Sequence, residues 1–597
     1  MTPAFARLTS LAAASLALTL GLSAQAATVG SADDTVFYAA PTSMPDGDHG
    51  TLVSYRTATV KLGTGAVATK AWNVTYKSTD SVDASNVVSG TVLVPTAAWS
   101  GTGARPVVLY AVGTHGLAAG CAPSRQMAAG TDYEAANINA ALKAGYAVLV
   151  TDYAGYLNGQ VPTYLAGKSQ GRANLDIFTA AQQIPNSGIT SSSKVAVWGF
   201  SQGGQTAAWT AEIQKAYAPS VNLVGVAGGG IPADFVAAAN NLNGNVGAAF
   251  LAEGVVGLGS QYPKNLPIDI IASAEGKAAL AKLKTQCVFE ALPDLLDKRL
   301  SSFTNGGIDL DTILEVPLIK QTLTDQNLGT NTVSTPMYLF HGQADEFIPL
   351  ASTVNLKNTY CTKYSNVYFD LYPSEHIVTL FQAAKPALAW IADRFAGKPA
   401  PSTCSNTASA PASTAYPAGG DLAVVLDKWP LTASINLKTL GQTVNLPATS
   451  TFSATADVTS TKLSGSLTVP EFKQSISIIG LSVPVGIKVT PVGNVTGTNT
   501  LDTKGVLHIS GNAQTDITIT SVLGIPFGEC KTVTPVQFPI VFDGPLSSLG
   551  NGNLTFTGTT TFPQIKGCFI SAILSAMMSG SGQTYSFNVA PPAPSKF

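Results

Sequence analysis

The sequence predicts two structural classes in one chain: an α/β domain with helices on both faces of a sheet, then a separate all-β domain of sandwich or barrel type. Three observations predict this. Short β-branched runs alternate with helix-like stretches through the first two thirds of the chain; residues 398–420 are rich in Pro, Ser, Ala and Thr with almost no charge; and beyond them apolar and polar residues alternate between closely spaced turns. The 597 residues, 45% hydrophobic and 11% charged, suffice for two or more cores and carry the reverse of a disordered composition. With 33 basic against 35 acidic residues there is no positive excess to neutralise phosphates, so nucleic-acid binding is excluded as a function class.

The first element is an export signal. Residues 1–7 carry one positive charge, 8–22 are apolar and rich in Ala and Leu, and Ala24-Gln25-Ala26 offers a small-x-small cleavage site. Roughly fifteen apolar residues fall short of the ~20 that a spanning helix needs, so a signal peptide at 1–26 is favoured over an anchor. Loss of Arg7 leaves 32 basic against 35 acidic residues, a net charge near −3. No later apolar run reaches spanning length, and the longest, 569–578, is about half of one. The predicted location is therefore extracellular, without a transmembrane segment.

The α/β part, 27–397, contains the runs 106–112 (PVVLYAV), 147–153 (AVLVTDY), 194–198 (KVAVW), 221–227 (VNLVGVA) and 336–341 (PMYLFH). Continuous apolar runs of this length suit strands buried on both faces of a parallel sheet. Between them, 133–144, 172–183 and 203–217 have helical composition. The interval 228–335 is a largely helical insertion between two strands. After the 398–420 linker, segments such as 434–437 (SINL), 475–478 (SISI) and 515–520 (TDITIT) mark the β-rich domain, 421–597.

Six cysteines in an exported chain read as disulfides. Domain partition pairs Cys530 with Cys568 and leaves Cys121, Cys287, Cys361 and Cys404 to the earlier domain. No C-x-x-C or His-rich cluster is present, so neither a metal site nor a cofactor is expected.

The chemistry centres on Gly199-Phe200-Ser201-Gln202-Gly203, a G-x-S-x-G pentapeptide. A second match, Gly167-Lys168-Ser169-Gln170-Gly171, shows how little the pattern means alone. Context separates them. A nucleophile elbow must join a buried strand to a helix, so that the hydroxyl stands on a sharp turn at the sheet's carboxyl edge. Ser201 follows KVAVW and precedes a helix opening with Gly-Gly; Ser169 follows no convincing strand. Of five histidines, His376 lies in the loop after the strand-like run 366–371, where the base of this architecture belongs. His49 precedes the sheet, His508 sits in the β-domain, His115 follows the first sheet strand, and His341 ends another. The acid should fall between nucleophile and base in chain order, at a strand's carboxyl end. Asp345 fits, with Glu346 a close rival and Asp370 a distant one. The order Ser, Asp, His is that of an α/β-hydrolase sheet. An oxyanion needs two donors. The Gln202 N–H is one by geometry, and Thr114 or His115, in Gly113-Thr114-His115-Gly116 after the first strand, supplies the other.

Together these residues resemble the secretory lipase family of the α/β-hydrolase superfamily, which includes fungal secreted triacylglycerol lipases and actinobacterial relatives. The resemblance is carried by Gly113-Thr114-His115-Gly116 followed by Cys121-Ala122-Pro123-Ser124, by 199–204 (GFSQGG), by 341–349 (HGQADEFIP) and by His376, and spans 39–404. It implies Ser201 as nucleophile, Asp345 as acid and His376 as base, with disulfides Cys121–Cys287 and Cys361–Cys404. It also implies that 228–335 forms a helical cap enclosing an acyl-binding tunnel over Ser201. Some members carry an acid in the oxyanion loop where this chain has Thr114-His115. The β-domain is not part of the fungal pattern. The expected function is cofactor-free hydrolysis of carboxylic esters, triacylglycerol first, with a lipid interface or polymer surface as partner. A polyester depolymerase and a short-chain esterase are the alternatives. The rival from another class is a surface-binding protein whose hydrolase domain is only a scaffold.

Overall fold

The computed structural model describes residues 28–414, 423–478, 480–528, 530–552 and 554–597. The export signal at 1–26, and the end of the linker at 415–420, lie outside the described residues.

Ten strands of the first domain form one sheet: β1 (Thr28–Val29), β2 (Leu52–Thr57), β3 (Thr69–Thr79), β4 (Ser85–Pro95), β5 (Val107–Ala111), β6 (Ala147–Thr151), β7 (Val195–Phe200), β8 (Leu223–Gly229), β9 (Met337–Gly342) and β10 (Val367–Tyr372). Their spatial order is 1-2-3-4-6-5-7-8-9-10. From β6 to β10 every neighbouring pair is parallel, whereas β2, β3, β4 and β6 pair antiparallel. The predicted parallel strands all lie in this sheet. The antiparallel β2–β4 meander has no counterpart in the sequence reading, because its strands mix Ser, Thr and Lys with apolar residues.

Successive residues of β5 point to opposite cores. Val108 and Tyr110 join the cluster that includes Trp198, Ile138 and Trp390, while Val107 and Leu109 join that of Val197, Ile177 and Val354. Helices Ala135–Lys143 and Ala384–Phe395 cover the first face; Gly167–Ala181, Gln202–Tyr217 and Leu350–Thr362 cover the second. A sheet buried on both faces needs this period-two division of apolar residues. Between β8 and β9 the chain forms the helices Phe235–Leu242, Ala248–Gln261, Ala274–Leu283, Val288–Asp294, Leu310–Leu314 and Pro317–Thr324, with shorter turns between them.

The C-terminal region is a network of antiparallel strands separate from the first sheet. Its long first strand, Ala423–Leu437, alternates buried with exposed residues over most of its length. A bulge between Leu426 and Trp429 interrupts its pairing with Thr451–Asp457, which ends at Pro430, and from Leu431 onward it pairs with Gly580–Val589. The last residues do not stay in this region. Ser595–Lys596 pair antiparallel with Leu371 and Asp370, adding an edge strand to β10. Short helix Ser547–Gly550 leans on helix His376–Gln382, so the apolar core is continuous from Phe381 and Val378 to Leu546 and Leu549.

Three disulfides are present: Cys121–Cys287, Cys361–Cys404 and Cys530–Cys568. Among the described residues no helix is long and apolar enough to cross a membrane.

Candidate active site

Ser201 occupies the turn between β7 and helix Gln202–Tyr217, with φ 58° and ψ −122°. That left-handed φ is costly for a residue with a Cβ, and tight packing around the turn imposes it. The flanking glycines show how tight. A Cβ at Gly203 would stand 1.9 Å from the Ala111 carbonyl oxygen, one at Gly199 would stand 2.3 Å from that of Gly203, and one at Gly204 would stand 2.2 Å from that of Gly229. The Ser201 N–H donates to the Gly229 carbonyl at 2.9 Å, fixing the turn to β8. Gln202 opens the helix, so its N–H is one of the four first-turn donors that a helix leaves without an internal acceptor. The other G-x-S-x-G serine, Ser169, is buried inside helix Gly167–Ala181, where its N–H donates to Ser81 Oγ.

His376 opens helix His376–Gln382, whose N-cap Glu375 accepts from the Ile377 and Val378 amides. The His376 ring Nδ1 lies 2.7 Å from Asp345 Oδ2. The other oxygen, Oδ1, accepts the N–H groups of Phe347 at 3.0 Å and Ile348 at 2.8 Å. Burial would push the Asp345 carboxyl up, but His376, His341 and the Ile348 amide outweigh it and hold the group below its ordinary value. Phe200 and Phe347 pack against the imidazole with ring centroids 4.7 and 5.3 Å away.

Neither rival acid touches the imidazole nitrogens. Glu346 Oε2 accepts the backbone N–H of His376 at 3.2 Å, while Asp370 bonds Tyr338 and Lys596. Burial, then the neighbouring Glu375 and Asp345 carboxylates, push Glu346 well above its ordinary value. Burial likewise pushes Glu375 up to about 7. Of the three carboxyls around His376, the surroundings favour the ionised form of Asp345 and disfavour that of Glu346 and Glu375. His341 is buried and bonded through Nδ1 to Thr353 and through Nε2 to the Ile348 carbonyl; burial lowers its pKa. His49 bonds Asp176, and His508 pairs with Asp543 in the β-domain.

The loop 113–116 is held from four sides. Glu134 Oε1 accepts the Gly113 N–H at 2.6 Å, Tyr133 donates to the Thr114 carbonyl at 3.0 Å, Tyr164 shares a hydrogen bond with Thr114 Oγ1 at 2.9 Å, and Tyr156 donates to the Gly116 carbonyl at 2.6 Å. Thr114 lines the same cavity as Ser201 and His376. The His115 ring is turned into the protein, with Nδ1 3.0 Å from the Gly113 carbonyl and Nε2 3.5 Å from Asp132 Oδ2. The cap locks this loop as well: the Val288 N–H donates to the His115 carbonyl, and the Cys121–Cys287 disulfide lies alongside. Glu134, the loop's principal buttress, escapes sequence reading because an acid at the start of a helix looks like a solvated first-turn carboxylate. Here it is fully buried, and burial pushes it up to about 7.

From Ser201 and Gln202 an apolar cavity runs under the cap helices past Phe235, Leu251, Leu258, Leu280, Leu310 and Leu323. Among the described residues no group of three or more His, Cys, Asp or Glu is placed to hold a metal ion.

Residues 122–403 match the family described as secretory lipase. A secreted triacylglycerol lipase of Malassezia globosa is 28% identical over 384 residues, covering 62% of this chain and 82% of the relative. Lipase 10 of Candida albicans is 27% identical over 396 residues, covering 62% and 83%. Among solved structures, Candida antarctica lipase A superposes with TM-score 0.56 at 23% identity, covering 65% of this chain and 90% of that one. The rice cell wall degrading esterase LipA of Xanthomonas oryzae gives TM-score 0.50 at 20% identity, covering 59% of this chain and all of the other. These likenesses fall on the first domain and identify its fold.

Proposed function

We propose that this protein, whose residues 122–403 match the secretory lipase family, is an exported serine hydrolase of carboxylic esters, with triacylglycerol as its preferred substrate. The observation that carries the proposal is a strained serine at a strand–helix turn that opens into an apolar tunnel and shares a cavity with His376, whose Nδ1 lies 2.7 Å from Asp345.

In this mechanism Asp345 accepts a hydrogen bond from the His376 Nδ1–H without taking its proton, which fixes the tautomer that leaves Nε2 unprotonated to take the Ser201 proton. Ser201 Oγ attacks the ester carbonyl. The negative charge on its oxygen is met by the Gln202 N–H and a donor from the 113–116 loop, each such donor worth about 10²–10³ in rate. Thr114 is favoured over His115 because it borders the cavity. The tetrahedral species collapses as the C–O bond to the alcohol breaks and the His376 proton passes to the departing oxygen. Water, deprotonated by the same imidazole, then releases the acid and restores Ser201. The substrate preference rests on the tunnel, whose hydrocarbon wall suits a long acyl chain at about 0.8 kcal/mol per buried methylene, and on the names of the relatives.

The test is a rate profile on p-nitrophenyl esters of increasing acyl length and on emulsified triglyceride, with wild type and Ser201→Ala. Long-chain and triglyceride activity lost in the variant is expected. Activity confined to short chains would replace the lipase reading with a short-chain esterase or polyester hydrolase, and inertness of the wild type would favour a scaffold.

A further inference from the structure

Two cavities meet at Ser201. The tunnel under the cap is bordered by Ser201 and Gln202 but not by His376. The second cavity is bordered by Ser201, His376 and Thr114 on its inner side, and its outer wall is made by Val424, Val458, Leu501, Leu507 and Leu546 of the C-terminal β-domain. We infer that this second cavity is the leaving-group subsite, that it takes a hydrocarbon chain on the alcohol half of the ester, and that the β-domain supplies its outer wall. The inference deepens the ester-hydrolase reading and rests on it.

Reaction geometry assigns the two cavities. When the tetrahedral intermediate collapses, the proton held on His376 passes to the alcohol oxygen, so that oxygen must lie on the imidazole side of Ser201. The acyl group stays bonded to Ser201 and extends the other way. His376 borders the second cavity alone, so the alcohol departs there and the acyl chain occupies the tunnel. The chemistry of the outer wall follows from its residues. All five are aliphatic, with Leu507 and Leu546 each only 4% exposed, so the wall fits an alkyl or acyl chain rather than a bare hydrated glycerol.

The wall is also fixed relative to His376. Helix Ser547–Gly550 packs on the helix that His376 opens, where a Cβ at Gly550 would stand 2.5 Å from the Gln382 nitrogen. Gln382 Nε2 donates to the Pro592 carbonyl, and Lys596 Nζ pairs with Asp370 at 2.7 Å. On the cap side, the turn at Gly505 abuts Phe289, whose ring would lie 2.9 Å from an added Cβ. The β-domain is thus seated on both rims of the opening, beside the position from which the alcohol leaves.

The experiment uses the full chain and two mirrored ester series: butyrates of alcohols from ethanol to dodecanol, and ethyl esters of acids from butyric to dodecanoic. Wild type is compared with Val458→Asp, Leu501→Asp and, as a control outside the cavity, the exposed Val541→Asp. In the two cavity variants the kcat/KM ratio of dodecyl to ethyl butyrate should fall at least tenfold, while the ratio of ethyl dodecanoate to ethyl butyrate moves less than threefold. Val541→Asp should move neither. Fluorophosphonate labelling of each variant reports whether the nucleophile is intact. A wild type that labels and hydrolyses ethyl esters, but whose alcohol-chain ratio is unchanged in both labelling-competent cavity variants, overturns the subsite and leaves the hydrolase reading standing. A wild type that neither labels nor hydrolyses overturns both. Glycerides and long-chain alkanol esters share the chemistry assigned here. A larger loss on tributyrin than on dodecyl butyrate would identify the glyceride as the better occupant.

Discussion

Glu253 lies on cap helix Ala248–Gln261, fully buried, and neither of its carboxylate oxygens has a hydrogen-bond partner in the protein. Burial alone pushes its pKa from the ordinary 4.5 up to about 8. A folded-state pKa above the unfolded one contributes stability that is complete below pH 4.5 and is lost as pH rises through 8. The gap of about 3.5 in pKa, at about 1.36 kcal/mol per unit, makes the full loss about 5 kcal/mol, of which about 3 kcal/mol is already gone at pH 7. Glu253→Gln keeps the shape, removes the titration and adds only a pH-independent cost for the buried amide. Urea unfolding with disulfides intact, at pH 5, 7 and 9, should show the variant gaining on wild type by about 4 kcal/mol from pH 5 to pH 9. Glu134, Glu346 and Glu375 titrate in both proteins and cancel in the difference. A functional trace is also expected. The Glu253 charge acts on Tyr156 and Tyr164, which hold Gly116 and Thr114, so wild-type activity should decline above pH 8 more steeply than that of the variant. Parallel pH–stability curves for the two proteins would refute the reasoning.

Four further outcomes are expected. Gly203→Ala places a methyl 1.9 Å from the backbone oxygen of Ala111, so ester hydrolysis should fall at least 100-fold, with a stability loss of about 3 kcal/mol or more by denaturant titration. Cys121→Ala with Cys287→Ala opens a cross-link spanning 166 residues, worth about 5 kcal/mol in the chain-entropy limit, and should lower the melting temperature and long-chain activity together. Deleting residues 595–597 removes the Lys596–Asp370 ion pair, the strand added to β10 and the Phe597 contact with Phe369; a loss of about 2 kcal/mol in unfolding free energy is predicted. Asp345→Asn should cut kcat by about 10⁴ through the imidazole tautomer, whereas Glu346→Gln should cost no more than about tenfold, and steady-state kinetics on one soluble ester separates the two.

The central sheet was legible because its parallel strands are continuous apolar runs, and the strand–helix turn at Ser201 because a buried strand precedes it and small residues follow. Chain order and strand position favour Asp345 over its close rival Glu346 only narrowly. Both stand at the carboxyl end of β9, and only the fold turns one toward His376 Nδ1 and the other toward its backbone N–H. The β2–β4 meander was hidden by Ser and Thr on strands that are nonetheless mostly buried. Glu134 and Glu253 were hidden because a lone acid on a helix ordinarily faces water. The return of Ser595–Lys596 to β10 and the seating of Val424 and Leu507 beside His376 are contacts between residues far apart in the chain, which local pattern does not encode.

The measurement that bears most directly on the central claim is intact-mass and peptide analysis of the folded protein after reaction with a fluorophosphonate, for wild type, Ser201→Ala and His376→Ala. One adduct per chain, mapped to Ser201, absent from Ser201→Ala and strongly slowed in His376→Ala, is predicted. A folded wild type that takes up no adduct, or takes it on another serine such as Ser169, would contradict the account.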